Sequence, residues 1–222
     1  MTYSILYLSL LLLPAGFALV EDIEIAEKVV DPECIKTQVK EGAWVRGYLS
    51  TGMVDPNLVY NVNLLNQFGV YVSAYMQPCF KCGNPKKQAQ DLAASMPLKN
   101  RRFMIYVTSG QWGTDMNANR DFLTTLVEEF RSTGNAAGIV TSEQHYQSIM
   151  GKDWDTMSSL MLFYIKVDNI TSCSDFKPFN GWKKPREKLY DVTESLCGNT
   201  VDYLHDCIEG EKKMAHSVYS ID

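Results

Sequence analysis

The residues of this chain that could take part in chemistry collect where predicted strands end. Asp22 and Glu24 belong to the first predicted strand, and Asp168 follows the sixth. Enzymes built on parallel strands place their chemistry at the carboxyl ends of those strands, where acid–base catalysis needs carboxyl groups. The fourth predicted strand ends in Tyr106 and Thr108 and contributes no carboxylate.

Aromatic and amide side chains accompany the same strand ends. Hydroxyls, amides and aromatic faces suit a sugar, which offers hydroxyls on its rim and an apolar face. The predicted substrate-binding residues are Tyr48, Tyr75, Gln77, Trp112 and Tyr164. Tyrosines in apolar strands are also ordinary core residues, so both interpretations stay open.

Cys79 and Cys82 form a Cys-x-x-Cys motif directly after the third predicted strand. One interpretation is a redox pair, whose reactive thiolate depends on a position at a helix N-terminus. The other is a local structural disulfide in a loop. Pro78 and Gly83 bracket the motif, and the next helix is predicted to begin only beyond it. The sequence therefore favours the structural disulfide.

Composition and missing motifs exclude several functional classes. The 222 residues carry a net charge of −5 and no basic stripe, which disfavours a nucleic-acid partner. The chain has no nucleotide-binding glycine loop, no Gly-x-Ser-x-Gly and no His-Glu-x-x-His. Its histidines, His145, His205 and His216, are too scattered to predict a zinc site. We therefore predict no metal and no cofactor.

Alternating strands and helices must position these residues. Asp31-Pro32 and Asp55-Pro56 each begin a predicted helix, which ends at Gly42 or Gly69 before a strand. Asp caps a helix N-terminus, Pro fits its first turn, and Gly tolerates the left-handed turn that ends it. The pattern continues to a closing helix over 183–196 and predicts six strands and six helices.

Such repeats with short connections indicate a parallel sheet in an α/β protein. An open doubly wound sheet and a closed barrel both fit, and the missing nucleotide-binding loops favour the barrel. We predict a single domain, an irregular β/α (TIM-like) barrel, over residues 19–200, followed by a polar C-terminal tail over 201–222.

The first 18 residues are predicted to be a secretory signal peptide, because a short uncharged apolar run is followed by small residues. An uncleaved membrane anchor is the alternative, but the run is shorter than the ~20 residues that span a bilayer. We expect a secreted protein, extracellular or lumenal, with no membrane contact after cleavage. Asn169 begins the only Asn-x-Thr sequon, so it is the predicted glycosylation site.

Six cysteines in a secreted chain imply three disulfides. Beside the local Cys-x-x-Cys pair, four cysteines remain, and these allow three pairings. The first and last helices of a closed barrel are neighbours, which predicts Cys34–Cys197 and leaves Cys173–Cys207.

Several stretches resemble a known family in their order and spacing. They are Glu33-Cys34-Ile35-Lys36, Val45-Arg46-Gly47-Tyr48, Met76-Gln77-Pro78-Cys79-Phe80-Lys81-Cys82-Gly83-Asn84-Pro85, Tyr106-Val107-Thr108-Ser109-Gly110-Gln111-Trp112, Asn119-Arg120-Asp121-Phe122-Leu123, Met161-Leu162-Phe163-Tyr164 and Asp175-Phe176-Lys177-Pro178-Phe179. Over about residues 20–200 the chain resembles the secreted lysozymes of nematodes and amoebae, which are related to glycoside hydrolase family 25.

The resemblance implies an irregular barrel that acts on the glycan strand of bacterial peptidoglycan. One carboxyl group protonates the leaving oxygen in such enzymes, and others support the charged transition state. The resemblance puts two of the family acids on Asp22 and Asp168, and its Asp-x-Glu pair on Tyr106 and Thr108. A threonine hydroxyl cannot replace a carboxylic acid as proton donor, a step worth roughly 10²–10⁴-fold.

We therefore expect a monomer that binds bacterial cell-wall glycan in innate defence or digestion, with reduced or absent turnover. Two functions from other classes stay open. One is a secreted thiol oxidoreductase that uses Cys79 and Cys82, and the other is a non-catalytic barrel that binds glycan or no ligand.

Overall fold

The computed structural model describes residues 19–208. The strands are β1 (Val20–Ile25), β2 (Val39–Leu49), β3 (Met53–Val54), β4 (Tyr71–Met76), β5 (Arg102–Tyr106), β6 (Ala136–Thr141), β7 (Met161–Ile165), β8 (Glu187–Leu196) and β9 (Asn199–Asp206). The helices are α1 (Pro32–Gln38), α2 (Leu58–Gln67), α3 (Pro85–Ser95), α4 (Met116–Ser132) and α5 (Glu143–Met150), with a 3₁₀ turn at Phe80–Cys82. The predicted signal peptide, 1–18, and positions 209–222 of the predicted tail lie outside the described residues.

Eight of the described strands close into a barrel. The order around the ring is β1, β9, β8, β7, β6, β5, β4, β2, and β2 then pairs with β1 again. The pairs from β2 round to β8 are parallel, whereas β9 is antiparallel to both β8 and β1. The short β3 extends the sheet only at β2. The predicted irregular β/α barrel is confirmed, and its irregularity lies in the antiparallel closing strand.

The predicted cap Asp31 positions α1, but this helix ends earlier than predicted. The predicted start of the second helix at Asp55-Pro56 is wrong, because α2 begins at Leu58 with Asn57 at its N-cap and no side-chain cap hydrogen bond. The Asp31 side chain accepts a hydrogen bond from the backbone N–H of Cys34 at 2.9 Å, and Pro32 occupies the first turn. The helix ends at Gln38, and Gly42 lies inside β2 instead of ending the helix. A side chain at Gly42 would start 2.5 Å from the Tyr71 carbonyl oxygen, so the close approach of β4 requires glycine here.

The predicted closing helix over 183–196 is wrong, because most of this segment forms β8. Cys197 and Gly198 have positive φ angles of 53° and 77° and connect β8 to β9 as a two-residue hairpin turn. In β8, Leu189 points into the barrel, where it packs with other buried apolar side chains. The predicted domain boundary at residue 200 is also wrong, since β9 continues to Asp206 and closes the ring.

The apolar side chains form two cores separated by the sheet. The larger core lies between the outer face of the barrel and the helices, and it includes Phe103, Phe130 and Tyr146. The smaller core fills the barrel itself. Its buried members are Trp44, Tyr75, Met104, Val140, Phe163, Leu189 and Leu204. None of the helices described between residues 19 and 208 has both the length and the apolar composition to cross a membrane.

All three predicted disulfides are confirmed. They are Cys34–Cys197, Cys79–Cys82 and Cys173–Cys207, with Cα–Cα distances of 5.6, 5.3 and 5.5 Å. Cys197 lies in the β8–β9 turn and not on a helix, so the first disulfide does not join two helices as predicted. The pairing holds because β9 lies beside β1, which brings that turn next to α1.

Removal of the Cys34–Cys197 disulfide is expected to destabilise the barrel strongly. It joins residues 163 positions apart, whereas Cys79–Cys82 spans only 3. A longer loop loses more entropy when it is closed in the unfolded chain, and removing such a disulfide costs about 2–5 kcal/mol. Thermal unfolding of Cys34→Ala/Cys197→Ala should therefore begin well below that of the matched control Cys79→Ala/Cys82→Ala. Equal melting temperatures would contradict this.

Candidate functional site

The candidate site lies inside the barrel, where the parallel strands end. We call this region the barrel mouth and define it by Glu24, Arg46, Tyr75, Tyr106 and Asp202. The Tyr106 hydroxyl donates a short hydrogen bond to Glu24 Oε2 across the barrel. The rings of Tyr75 and Tyr106 lie 5.3 Å apart. Side chains from β1, β4 and β5 thus meet at one point.

Glu24 is a buried acid with one unused oxygen. Glu24 is only 3% exposed, and its Oε1 atom has no hydrogen-bond partner. Burial raises the pKa of Glu24 from its ordinary 4.5 to about 8, against the opposing effect of the Tyr106 hydrogen bond. Glu24 therefore keeps its proton near neutral pH, which is the state that a general acid requires.

Asp202 is the second carboxylate of the barrel mouth. It lies directly opposite Glu24 in the β1–β9 ladder, on the same face as the inward-pointing Leu204. The Cβ atoms of such cross-strand pairs are about 4.5–5.5 Å apart. Burial raises the pKa of Asp202, and the backbone N–H of Thr193 donates to its Oδ1 atom at 2.9 Å.

The structure places the predicted acid Asp22 at the wrong end of the barrel. Asp22 precedes Glu24 by one repeat of the strand pleat, about 6.6 Å. Its electrostatic neighbours include Glu187 and Arg186 at the start of β8, and Asp206 at the end of β9. Burial first, and then the Glu187 carboxyl, raise the pKa of Asp22 well above its usual range. Glu24, and not Asp22, therefore occupies the position at the mouth where the resemblance predicts the first family acid.

Asp168, the other predicted acid, belongs to an ion cluster on the outer side of the sheet. Lys188 points away from the barrel, because its neighbours in β8 point inward, and its Nζ lies 2.8 Å from Asp168. Lys188 is fully buried and also donates to the Ile170 and Ser172 carbonyls. The Lys188 hydrogen bond lowers the pKa of Asp168, so this group stays ionised. Asp168 therefore positions a loop and has no contact with Glu24.

Positions 106 and 108, where the resemblance places the family's Asp-x-Glu pair, lie at the end of β5. Tyr106 is half-buried and fills the space beside Glu24, while Thr108 is half-buried just beyond the end of the strand. Thr108 lies two residues beyond the end of β5, and a place for its side chain at the mouth stays a prediction.

Of the predicted sugar-binding residues, Tyr75 alone belongs to the barrel mouth. Tyr48 is 2% exposed and packs in the outer core, so it cannot contact a ligand. Tyr164 also lies on the outer face, where it packs against Phe176 at 5.2 Å. A register shift after Arg46 turns Tyr48 outward, and the alternation of β7 turns Tyr164 outward, which the apolar pattern did not reveal.

Gln77 and Trp112 lie on the connections around the mouth. Gln77 is half-buried and follows β4, held by a backbone hydrogen bond to the Tyr48 carbonyl at 3.0 Å. The indole N–H of Trp112 donates to the Tyr106 carbonyl at 3.3 Å, and its ring packs on Phe122. Trp112 therefore supports the end of β5 from outside the barrel.

The Cys79–Cys82 loop has the structure of a fixed turn. Gln88 accepts from the Cys79 N–H at 3.0 Å and donates to the carbonyls of Cys79 and Gly83 at 2.8 Å. Helix α3 begins beyond the motif, at Pro85. Neither cysteine thus lies at the N-terminus of an α-helix, the position that activates thiols in redox motifs.

The described part of the chain offers no other obvious reaction centre. Residues 19–208 contain no group of three or more His, Cys, Asp or Glu side chains arranged to hold a metal ion. One cavity of about 320 Å³ lies between α3 and α4, and another of about 280 Å³ lies beside Trp182 and Arg186. Neither is lined by a residue of the barrel mouth.

Comparison with known proteins identifies the family. The family model described as "Lysozyme-like protein 1" matches residues 15–190. The chain is 35% identical to "Probable GH family 25 lysozyme 4" of Dictyostelium discoideum over 186 residues, covering 82% of this chain and 87% of that protein. This chain belongs to the lysozyme-like family related to glycoside hydrolase family 25. It is also 31% identical to "Lysozyme-like protein 5" of Caenorhabditis elegans, over 76% of this chain and 82% of that protein.

Solved structures support the same fold. The bacterial lysozyme from Streptomyces coelicolor has a TM-score of 0.71 at 15% identity, covering 84% of this chain and 92% of that chain. A family GH25 lysozyme from Aspergillus fumigatus has a TM-score of 0.66 at 14% identity, with 83% and 93% covered. At such low identity these similarities establish the fold and leave the activity of this chain open.

Sequence reasoning missed Asp202 and gave Glu24 too little weight. Asp202 falls within the predicted polar tail, whereas residues 199–206 form a β-strand directly after the hairpin turn at Gly198. Glu24 alternates with the apolar Ile23 and Ile25, which face outward into the larger core. The alternation therefore held the information that Glu24 faces inward.

The buried acids should make the protein more stable in acid than at alkaline pH. Glu24 has a folded-state pKa raised from 4.5 to about 8. Its contribution to stability is thus fully present below about pH 4.5 and is lost as the pH rises through about 8. The free energy of unfolding should fall over this window by on the order of 4 kcal/mol from Glu24 alone.

Denaturant unfolding between pH 4.5 and 8.5 measures this dependence. Glu24→Gln keeps the shape of the side chain but cannot ionise, so its stability should vary less with pH than that of the wild type. The remaining slope should come from Asp22 and Glu187, whose pKa values are also raised by burial. A wild-type protein that gains stability toward pH 8 would contradict the burial of a protonated Glu24.

Proposed function

We propose that this protein is a secreted lysozyme-like protein that binds bacterial peptidoglycan and hydrolyses it weakly or not at all. The observation that carries the proposal is the hydrogen bond from Tyr106 to Glu24. Tyr106 stands at the position of a family acid but cannot act as that acid. Its hydroxyl instead binds the buried carboxyl group of Glu24.

Weak hydrolysis is expected from access as well as from the missing acids. A general acid must come within hydrogen-bond distance of the oxygen that it protonates. Glu24 holds a proton, but it is 3% exposed and lies against Tyr106. A sugar ring can reach Glu24 only if the Tyr106 ring moves. The family's Asp-x-Glu pair, set at positions 106 and 108, would instead present its carboxyl groups at the rim.

Binding of a glycan strand is supported by the chemistry that remains at the mouth. Gln77 and Thr108 are half-buried on the connections beside the mouth and offer an amide and a hydroxyl, and Arg46 offers a guanidinium on a side chain that is 27% exposed. Relatives named as lysozymes and lysozyme-like proteins share the family, which supports peptidoglycan as the ligand. A role in defence or digestion is proposed on the same basis.

Restoring the two acids should raise turnover. Purified wild-type protein should sediment with insoluble peptidoglycan and release few muropeptides. Tyr106→Asp/Thr108→Glu should release about 10²-fold more, the lower end of what general acid catalysis contributes. The matched control Tyr106→Asn/Thr108→Gln has nearly the same shape without the acids, and its release should stay at the wild-type level.

Two outcomes would contradict the proposed function. Robust release of muropeptides by the wild type, abolished by Glu24→Gln, would make Glu24 a working acid and the protein an active lysozyme. Failure of the wild type to sediment with peptidoglycan would favour a barrel without this ligand. Chromatography of the digest and the pull-down from the same sample distinguish the two.

Secretion and glycosylation give a separate test. Asn169 is exposed, has a positive φ of 58° and stands between the exposed side chains of Val167 and Ile170. We expect the full chain, expressed in eukaryotic cells, to appear in the medium with a glycan that a glycosidase removes. Asn169→Gln and Thr171→Ala should lose the mass shift, whereas Thr171→Ser should retain it. Retention of the chain inside cells, without glycan, would contradict the predicted leader and this site.

A further inference from the structure

Arg46 is the cation of the barrel mouth whose surroundings suggest a ligand. It follows Val45, which pairs with the last residue of β1, so it lies just beyond the end of that strand. It pairs with Tyr75 in the β2–β4 ladder and has the same inward parity as Trp44. Burial and the Glu24 carboxyl raise the pKa of the Tyr75 hydroxyl, and the Arg46 charge opposes this rise.

Asp55 fixes the guanidinium of Arg46 from one edge. The Arg46 Nε donates to Asp55 Oδ2 at 2.6 Å. Asp55 is 2% exposed, and its other oxygen accepts from the Asn57 N–H at 2.8 Å. Its own N–H donates to the Gly47 carbonyl at 2.9 Å. The carboxylate that orients Arg46 is therefore itself held rigidly.

The hydrogen bond to Asp55 uses only one of the five N–H donors of arginine. The side chain of Arg46 remains 27% exposed, whereas that of Asp55 is 1% exposed, so the solvent side of this pair belongs to Arg46. A guanidinium held at Nε presents the Nη edge as a planar fork, which matches the two oxygens of a carboxylate.

The neighbouring acids leave room for an anion at this edge. Glu24 is buried and keeps its proton near neutral pH. Asp202 lies across β1 and is engaged by the Thr193 N–H. Asp55 is already occupied by Arg46 and Asn57. A neutral oligosaccharide would offer the exposed donors of Arg46 only uncharged hydroxyl and amide oxygens, whereas an acidic sugar would bind them by the stronger charge-assisted hydrogen bonds.

We propose that Arg46 is the specificity-determining residue of the mouth and binds a carboxylate of the muramyl unit of peptidoglycan. The proposal rests on the proposed glycan-binding function and adds the reason why acidic wall glycan is preferred to neutral chitin. Two carboxylates of peptidoglycan have this chemistry. One is the lactyl acid of a muramic acid that carries no peptide, and the other is a free carboxylate of the stem peptide.

The ligand side of the test needs no protein variant. Calorimetry with the wild type compares a peptide-free muramic acid oligosaccharide, its lactyl amide, a muramyl-dipeptide oligosaccharide and chitotetraose. A hydrogen bond to a charged group contributes about tenfold or more in affinity. The acid should therefore bind about tenfold more tightly than its amide if the lactyl group is recognised. Tight binding of the dipeptide form alone would assign the contact to the stem peptide.

The protein side uses Arg46→Gln and Arg46→Lys, with Arg131→Gln as the matched control. Arg131 is exposed at the end of α4, away from the mouth, and its loss changes the net charge equally. Arg46→Gln should lose about tenfold in affinity for the acidic ligand and almost nothing for chitotetraose. Arg46→Lys, which keeps the charge but not the fork, should lie between the two. Melting temperatures show whether each variant folds.

The outcomes separate this proposal from the function on which it rests. If acidic and neutral ligands bind the wild type equally, the role of Arg46 is overturned while glycan binding stands. If Arg46→Gln folds and weakens both ligand classes equally, Arg46 has a structural role and the proposal is again overturned. If the wild type binds no oligosaccharide at all, the proposed function fails together with it.

Discussion

The contact between Tyr106 and Glu24 depends on closure of the barrel. The interior of an eight-stranded barrel is just wide enough for side chains to fill it. Glu24 on β1 and Tyr106 on β5 are 82 positions apart in sequence, and they meet because closure puts β1 only three strands from β5 round the ring, through β2 and β4. An open sheet would leave Glu24 exposed to water with an ordinary pKa. Closure therefore creates both the buried acid and the residue that covers it.

Closure of the barrel also buries acids at two separate heights along its axis, each with different neighbours. At the mouth, Glu24 shares its space with aromatic rings and one hydroxyl donor. At the opposite end, Asp22 and Glu187 lie near Arg186, whose charge favours their ionised forms. Burial raises the pKa of all three carboxyl groups. Their burial therefore favours the folded state more in acid than at alkaline pH.

The sequence predicted much of the scaffold because local signals specify it. Asp31 caps α1, apolar runs form strands, and the alternation of helices and strands leads to a parallel sheet. The Cys34–Cys197 pairing depends only on the first and last units being neighbours. It is therefore correct although residues 183–196 do not form the predicted helix. In that segment Leu189 and Val192 are three residues apart, which is a helical spacing, so only the pairing with β9 reveals the strand.

The site was harder to predict because it depends on which face of a strand a residue occupies. A single register shift after Arg46 moves Tyr48 from the mouth to the outer core, and no local signal marks that shift. The family resemblance places its first acid by the spacing from Cys34, and this spacing crosses a loop, so it does not distinguish Asp22 from Glu24. Asp22 and Glu24 are only two residues apart, but Glu24 contacts Tyr106 at the mouth, whereas Asp22 lies near Glu187 and Arg186.

The most direct test of this account is the protonation state of Glu24. Infrared spectra of the wild type minus Glu24→Gln isolate the carbonyl stretch of one protonated carboxyl group as the pH is raised. The account predicts that this band is present at pH 6 and disappears with a midpoint near the raised pKa of about 8. Absence of the band at pH 6, or a midpoint near 4.5, would show an ordinary exposed carboxylate and contradict a Glu24 sequestered by Tyr106.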